Sequence, residues 1–180
     1  MRGMHLQAHQ TYNYCLDHQG SDPKKDGTNC THTRWGDCSH NWSEVEGAYS
    51  RDYGVPVSVL MATIYVESSF DSHARPPRKK ILGFIPGPRA SSALGYSQAL
   101  DGTWAEYQAR AGQRGASRTD FGDAIYFIAW YHYQSHIRNG IALNDPYNLY
   151  LAYHSGHSGY SRGVWKSRPV AKSAAARPRR

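Results

Sequence analysis

The sequence reads as a mainly α domain with one small irregular or β-containing excursion, on three observations. Val57, Leu60, Met61 and Ile64 fall at i, i+3, i+4 and i+7, the spacing of one helix face. Phe121, Ala124, Ile125, Ile128 and Tyr131 or His132 repeat that spacing after Asp120. Between these two stretches, residues 71–98 carry four prolines around an apolar island, Ile81 to Ile85, which suits a loop or short hairpin and not a helix.

Residues 1–37 are polar, rich in His, Asp, Gly and Thr, and show no sustained period, so they read as a loop-rich or partly disordered segment. Cys15, Cys30 and Cys38 are an odd set. In an oxidising compartment one stays unpaired, and a Cys15–Cys30 disulfide is one of the pairings that remain open. Cys30, His32, Cys38 and His40 offer two thiolates and two imidazoles, but their spacing matches no standard zinc finger, and no metal is expected.

Residues 38–165 form the domain. Asn41 to Asp52 reads as a helix with Trp42, Val45 and Tyr49 on one side and Gly54 as its stop. Pro56 suits the start of the next helix, because its φ is already helical and a first-turn N–H has no partner to lose. Asp101 or Thr103 caps a helix whose Trp104, Tyr107, Gln108 and Ala111 share a face. Asp120 caps the strongest helical pattern, read as the buried central helix. Asp145 and Pro146 open a last helix, carrying Leu149, Ala152 and Tyr153, that stops at Gly156. His132 and His136 are four apart, yet HYQSH lacks the glutamate of a zinc-protease helix, so two partly exposed helix histidines are the plainer reading.

The formal charge of +7 suggests nucleic acid until it is located. Six basic residues and no acid lie from Lys166 onward, leaving 15 basic against 14 acidic before it. The body is nearly neutral and residues 166–180 read as a solvated basic tail, so no specific nucleic-acid partner is expected. The five basic residues Arg75, Arg78, Lys79, Lys80 and Arg89 suit a solvated loop or contact with an acidic polymer, the former being plainer. No stretch reaches the roughly 20 apolar residues of a membrane span, and Met1 to His9 lacks a signal-peptide core. Tyrosine (14) and tryptophan (5) outnumber phenylalanine (4), a bias toward rings with a polar handle that suits a groove gripping sugars or bases.

One residue of the first helix stands out. Glu67 lies seven after Leu60 and three after Ile64, so its carboxylate leaves the last turn on the side of the apolar stripe. A carboxyl held against apolar neighbours keeps its proton to higher pH, which makes it a candidate general acid. Taken alone, a glutamate at a helix end more often points into water.

Three short segments change that balance: Glu67-Ser68-Ser69-Phe70, Gly95-Tyr96-Ser97-Gln98 and Ala152-Tyr153-His154-Ser155-Gly156. In this order they resemble the E-S-x-F, G-L-M-Q and A-Y-N-x-G motifs of the soluble lytic transglycosylases, lysozyme-like enzymes that cut peptidoglycan. The resemblance runs from about Cys38 to Trp165, and Gly102-Thr103-Trp104 continues it into the next helix.

The resemblance implies a lysozyme-like α+β fold with Glu67 as the sole catalytic carboxylate, no cofactor, and peptidoglycan strands as substrate. It implies proton donation to the bond between N-acetylmuramic acid and N-acetylglucosamine, help from the substrate's own N-acetyl group, and closure of a 1,6-anhydro ring without water. Among substrate-binding positions it implies Gln98, Tyr153, Ser92 (or Ser91 in the other register) and, at positions where this chain departs from the motifs, Tyr96 and His154. Tyr96, Ser97 and His154 stand where the family has Leu, Met and Asn, which makes the groove more polar and brings a titratable ring close. It further implies a periplasmic or cell-envelope location and a role in opening the wall for a secretion or conjugation apparatus. Asp71, four residues past Glu67, is the nearest second acid and reads as a turn residue. The alternatives are a hydrolytic muramidase and a non-catalytic envelope or polyanion-binding module.

Overall fold

Helix α2, Val57–Ser68, follows the four-residue helical turn α1, Ser50–Tyr53, in a computed structural model that describes residues 50–81 and 85–167. The Pro56 carbonyl accepts from Val59 and Leu60 N–H (2.9 and 3.3 Å), so the proline starts α2 as its fixed φ predicts. The pattern suggests one buried face, but six consecutive residues, Val59 to Ile64, are buried. The physical reason is that α2 packs against two later helices, and a helix enclosed on several sides can be apolar all round.

After α2 the chain forms an antiparallel hairpin, β1 Arg78–Ile81 and β2 Ile85–Arg89, which pairs Arg78 with Arg89 and Ile81 with Ile85. The register shifts between Arg78 and Lys80, as a bulge would produce, in a strand pair holding two prolines. Helix α3, Asp101–Arg110, follows. Neither Asp101 nor Thr103 caps it. The cap position is Leu100, which has no capping side chain, and the Asp101 N–H instead donates to Ser92 Oγ at 3.1 Å. A hydroxyl nine residues upstream replaces the local cap, something spacing rules do not detect.

Helix α4, Phe121–Asn139, is the central element. Asp120 Oδ1 accepts from Asp123 N–H at 3.0 Å, and Gly140 (φ 66°) closes the far end by donating to His136 O at 2.9 Å. Every other α-helix among the described residues touches α4: α1, α2, α3, then α5 (Pro146–Ser155) and α6 (His157–Ser161). Its rings build the core with those of α3. Trp104 and Phe127 centroids lie 5.1 Å apart, and Tyr107 stands 5.3 Å from Phe127 and 5.5 Å from Trp130. Asp145 Oδ1 accepts from Asn148 N–H at 3.1 Å, Pro146 opens α5, and Gly156 ends it at φ 73°. A 3₁₀ turn, Val164–Ser167, completes the described chain.

The histidines of α4 differ from expectation. His132 is fully buried, not partly exposed, and its Nε2 lies 2.9 Å from Thr63 Oγ1 on α2. Thr63 donates its own hydrogen to Val59 O, so His132 carries its proton on Nε2 and donates it to Thr63. His136 Nδ1 sits 2.7 Å from Ile141 O. His136 is exposed, so of the expected pair of partly exposed histidines His132 is the one corrected, because it is sealed against α2. No described helix is long and apolar enough to cross a membrane. Cys15, Cys30, Cys38, His32, His40, the helix expected from Asn41 up to its last turn, and the tail beyond Ser167 lie outside the described residues.

Candidate active site

Glu67 sits in the last turn of α2, and the backbone turns sharply beyond it. Ser69 (φ 52°) and Phe70 (φ 62°) both adopt left-handed conformations, each costing a non-glycine residue about 1 kcal/mol or more. Two kinds of contact hold them. The Ser69 N–H donates to Tyr65 O at 3.0 Å, and the Phe70 ring, 2% exposed, packs between Tyr65 and Phe121. The chain therefore leaves the helix directly past the carboxylate.

Burial raises the Glu67 pKa from 4.5 to about 7, because its ionised form loses hydration against the helices around it. The negative end of the α2 dipole acts in the same direction. Opposing both, Tyr150 hydrogen-bonds the carboxylate and lowers the pKa. Near neutrality the group is then divided between acid and base, the condition for donating a proton and later accepting one.

Tyr153 lies on the same side of α5, one turn from Tyr150. Its hydroxyl donates to Ser97 O at 2.6 Å, and burial together with the nearby Glu67 charge raises its pKa well above the ordinary tyrosine value. It stays a neutral hydrogen-bonding group. Its ring lies 4.9 Å from that of Tyr131 and helps line a cleft of about 260 Å³ with Gln98, Thr103, Phe127, Tyr131 and His154. Tyr153 is thus common to the acid's surroundings and to an aromatic cleft with polar rims.

The 95–98 turn forms the facing wall. Gly95 has φ 72°, and a Cβ there would collide with the Arg118 carbonyl, so glycine is required on two counts. Its N–H donates to Ala74 O at 3.0 Å. Gln98 is left-handed at φ 49°, and its Nε2 donates to Ala74 O (2.9 Å) and Gly95 O (2.8 Å). With both amide hydrogens engaged by the chain, Oε1 is the part of this side chain suited to a ligand hydroxyl.

The remaining expected positions divide. His154 is exposed on the cleft rim. Tyr96 faces the core: it is 4% exposed and meets Phe121 edge-on at 5.2 Å. Ser97 is fully buried, and what it presents to Tyr153 is its backbone carbonyl. Ser92 and Ser91 lie outside the aromatic cleft, Ser92 Oγ bound to Asp101 N–H and Ser91 Oγ accepting from Ala93 N–H at 3.4 Å. Sequence reasoning missed Tyr150 and Tyr131. Tyr150 had a signal, three residues before Tyr153 on a helix; Tyr131 had none beyond its place in the core pattern of α4.

The described residues hold eight carboxyl groups, and seven have structural work. Asp52 accepts from Tyr126, Asp101 pairs with Arg118 at 2.7 Å, and Glu106 pairs with Arg110 at 3.2 Å. Asp120 and Asp145 cap helices, and Asp123 accepts from Ser117 N–H at 2.8 Å. Asp71 Oδ1 accepts from His73 N–H at 2.8 Å, the turn role expected of it. Glu67 is the eighth.

Comparison with protein families matches residues 18–180 to the transglycosylase SLT domain. No curated protein and no solved structure matches the chain.

Proposed function

Because the chain belongs to the transglycosylase SLT domain family, we propose that it is a peptidoglycan lytic transglycosylase cutting between N-acetylmuramic acid and N-acetylglucosamine with Glu67 as its acid and base. The observation that carries this reading is the Glu67 carboxyl, its pKa raised to about 7, held by Tyr150 and near Tyr153, a residue that also lines the aromatic cleft.

In the first step protonated Glu67 gives its proton to the glycosidic oxygen, and the C1–O bond breaks toward an oxocarbenium-like centre. The substrate's N-acetyl oxygen supports that centre. Glu67, now a carboxylate stabilised by Tyr150, takes the proton of the muramoyl C6 hydroxyl, whose oxygen closes on C1. The acid is regenerated, and neither water nor cofactor is consumed. Gln98 Oε1, the Tyr153 and Tyr131 rings and His154 hold the glycan, while Tyr96 and Ser97 shape the wall from behind. Seven of the eight described carboxyls cap helices, pair with arginines or close turns and surface contacts, which leaves Glu67, held by Tyr150, as the carboxyl for a one-carboxylate reaction. The reading places the enzyme in the periplasm or cell envelope, opening the wall locally for an envelope-spanning assembly such as a secretion or conjugation apparatus.

Mass spectrometry of a peptidoglycan digest tests the reaction. The expected products end in 1,6-anhydro-muramoyl residues and disappear with Glu67→Gln, whose fold is retained. Ordinary reducing ends would make the enzyme a hydrolytic muramidase, and no cleavage at all would leave a binding module.

A further inference from the structure

On the other side of the 90–101 segment from the aromatic cleft lies a second cavity, of about 330 Å³, whose lining includes Arg75, Arg89, Arg118, Asp101, Ser91 and Ser92. Three guanidinium groups face one carboxylate there, so the cavity carries net positive charge. Arg118 is fixed: it is mostly buried, pairs with Asp101 at 2.7 Å, and donates to Ser92 O and Ala99 O at 3.1 and 3.0 Å. Arg89 is anchored by one nitrogen to Pro76 O at 2.6 Å, which leaves the rest of its fork for a ligand. Arg75 is exposed and makes no ion pair with any described residue.

This cavity is bolted to the candidate site. Ala74, next to Arg75, accepts through its carbonyl from both Gly95 N–H and Gln98 Nε2. Leu100 lines the aromatic cleft, and its neighbour Asp101 lines the basic cavity. A substrate lying in the cleft with an anionic branch would meet both at once. We propose that the basic cavity is a carboxylate-binding subsite for the peptide stem of peptidoglycan, with Arg75 and Arg89 as the groups that grip it. This rests on the peptidoglycan reading, since the stem is the part of that polymer that carries free carboxylates beside the cut sugar. Planar, pre-oriented guanidinium forks suit carboxylates, and an arginine pair in a partly enclosed site distinguishes stem-bearing from bare glycan.

Two measurements test it. In the first, cleavage of stem-bearing peptidoglycan is compared with cleavage of the same polymer after its stem carboxyls have been amidated, because stripping the stem with an amidase would bare a lactyl carboxylate on each muramic acid. The Arg75→Ala/Arg89→Ala protein is expected to lose about tenfold in kcat/KM on the former and nothing on the latter. An equal loss on both, or none on either, overturns the proposal, and Arg114→Ala/Arg162→Ala controls for net charge. The second measurement needs no catalysis: a synthetic tetrapeptide stem is titrated into the uniformly labelled protein by NMR. Amide shifts are expected around Ser91, Ser92 and Arg118, reduced by salt, by amidation of the peptide's carboxyls and by the double arginine variant. Stem binding by a protein that cuts no wall would sink the enzymatic reading and leave the subsite standing. No shift, or equal shifts with the amidated peptide, would sink the subsite.

Discussion

Two groups beside helix α2 lie in surroundings that strip them of water, and only one of them is partly exposed. His132, against Thr63 at the middle of α2, is sealed; burial lowers its pKa from 6.5 to about 3, and its Nδ1 has no partner. Glu67, a turn further along, is pushed from 4.5 to about 7 by the same cause. Both are driven toward their neutral forms. The difference is access: Glu67 is partly exposed beside Tyr150 and Tyr153, whereas His132 is fully buried. Desolvation makes a perturbed group, and an opening to substrate makes it chemical.

The largest expected effect is on cleavage. Glu67→Gln should lower the rate by about 10²–10⁴-fold or more, the usual worth of a positioned general acid. It should also stabilise the fold at alkaline pH. The folded pKa lies above the unfolded one, so the native state binds more protons between about 4.5 and 7 and wild-type stability falls as pH rises through that window. Removing the group should recover on the order of 2–3 kcal/mol at about pH 8, read from urea unfolding. A variant that stays active, or loses stability there, would place Glu67 with the sealed group.

His132 has the opposite slope. Its folded pKa lies below the unfolded one, so the unfolded chain binds the extra proton and stability is lost as pH falls from about 6.5 toward 3. His132→Gln keeps a donor for Thr63 and does not titrate. It should flatten that acid limb, worth on the order of 3–4 kcal/mol, and leave cleavage close to wild type. Abolished cleavage in a folded His132→Gln protein would erase the distinction between the two sites.

The smaller effects tune the open site. Wild-type kcat/KM should fall about tenfold per pH unit above about 7, where Glu67 loses its proton. Tyr150→Phe removes the bond that favours the carboxylate, so the alkaline limb should move upward by up to about one pH unit, matching a hydrogen bond of about 1 kcal/mol. An unmoved limb would detach Tyr150 from the acid.

The elements that were legible in the sequence are those written locally. Asp120 and Asp145 cap the helices they precede, Gly156 ends α5, and the proline-rich stretch contains a hairpin. Glu67 was legible as an oddity of helical phase and gained weight from two distant segments. What stayed hidden depends on contacts between elements. Ser92 caps α3 from nine residues away, α2 is enclosed by helices that only the tertiary fold brings to it, and Tyr96 turns inward because Phe121 awaits its ring. Gln98 in a motif predicts an amide near a ligand, but nothing in the sequence says that its nitrogen already holds two carbonyls.

The bond from Tyr153 to the Ser97 carbonyl has a mechanical meaning. It is a strut of fixed length between helix α5 and the 95–98 turn, so the spacing of these two walls is gauged by one phenol and not by adjustable packing. A phenylalanine would keep the ring and remove the tether, and a bulkier ring would wedge the walls apart. The width of the cleft is thus dimensioned by a single side chain, as a calliper is by its set screw.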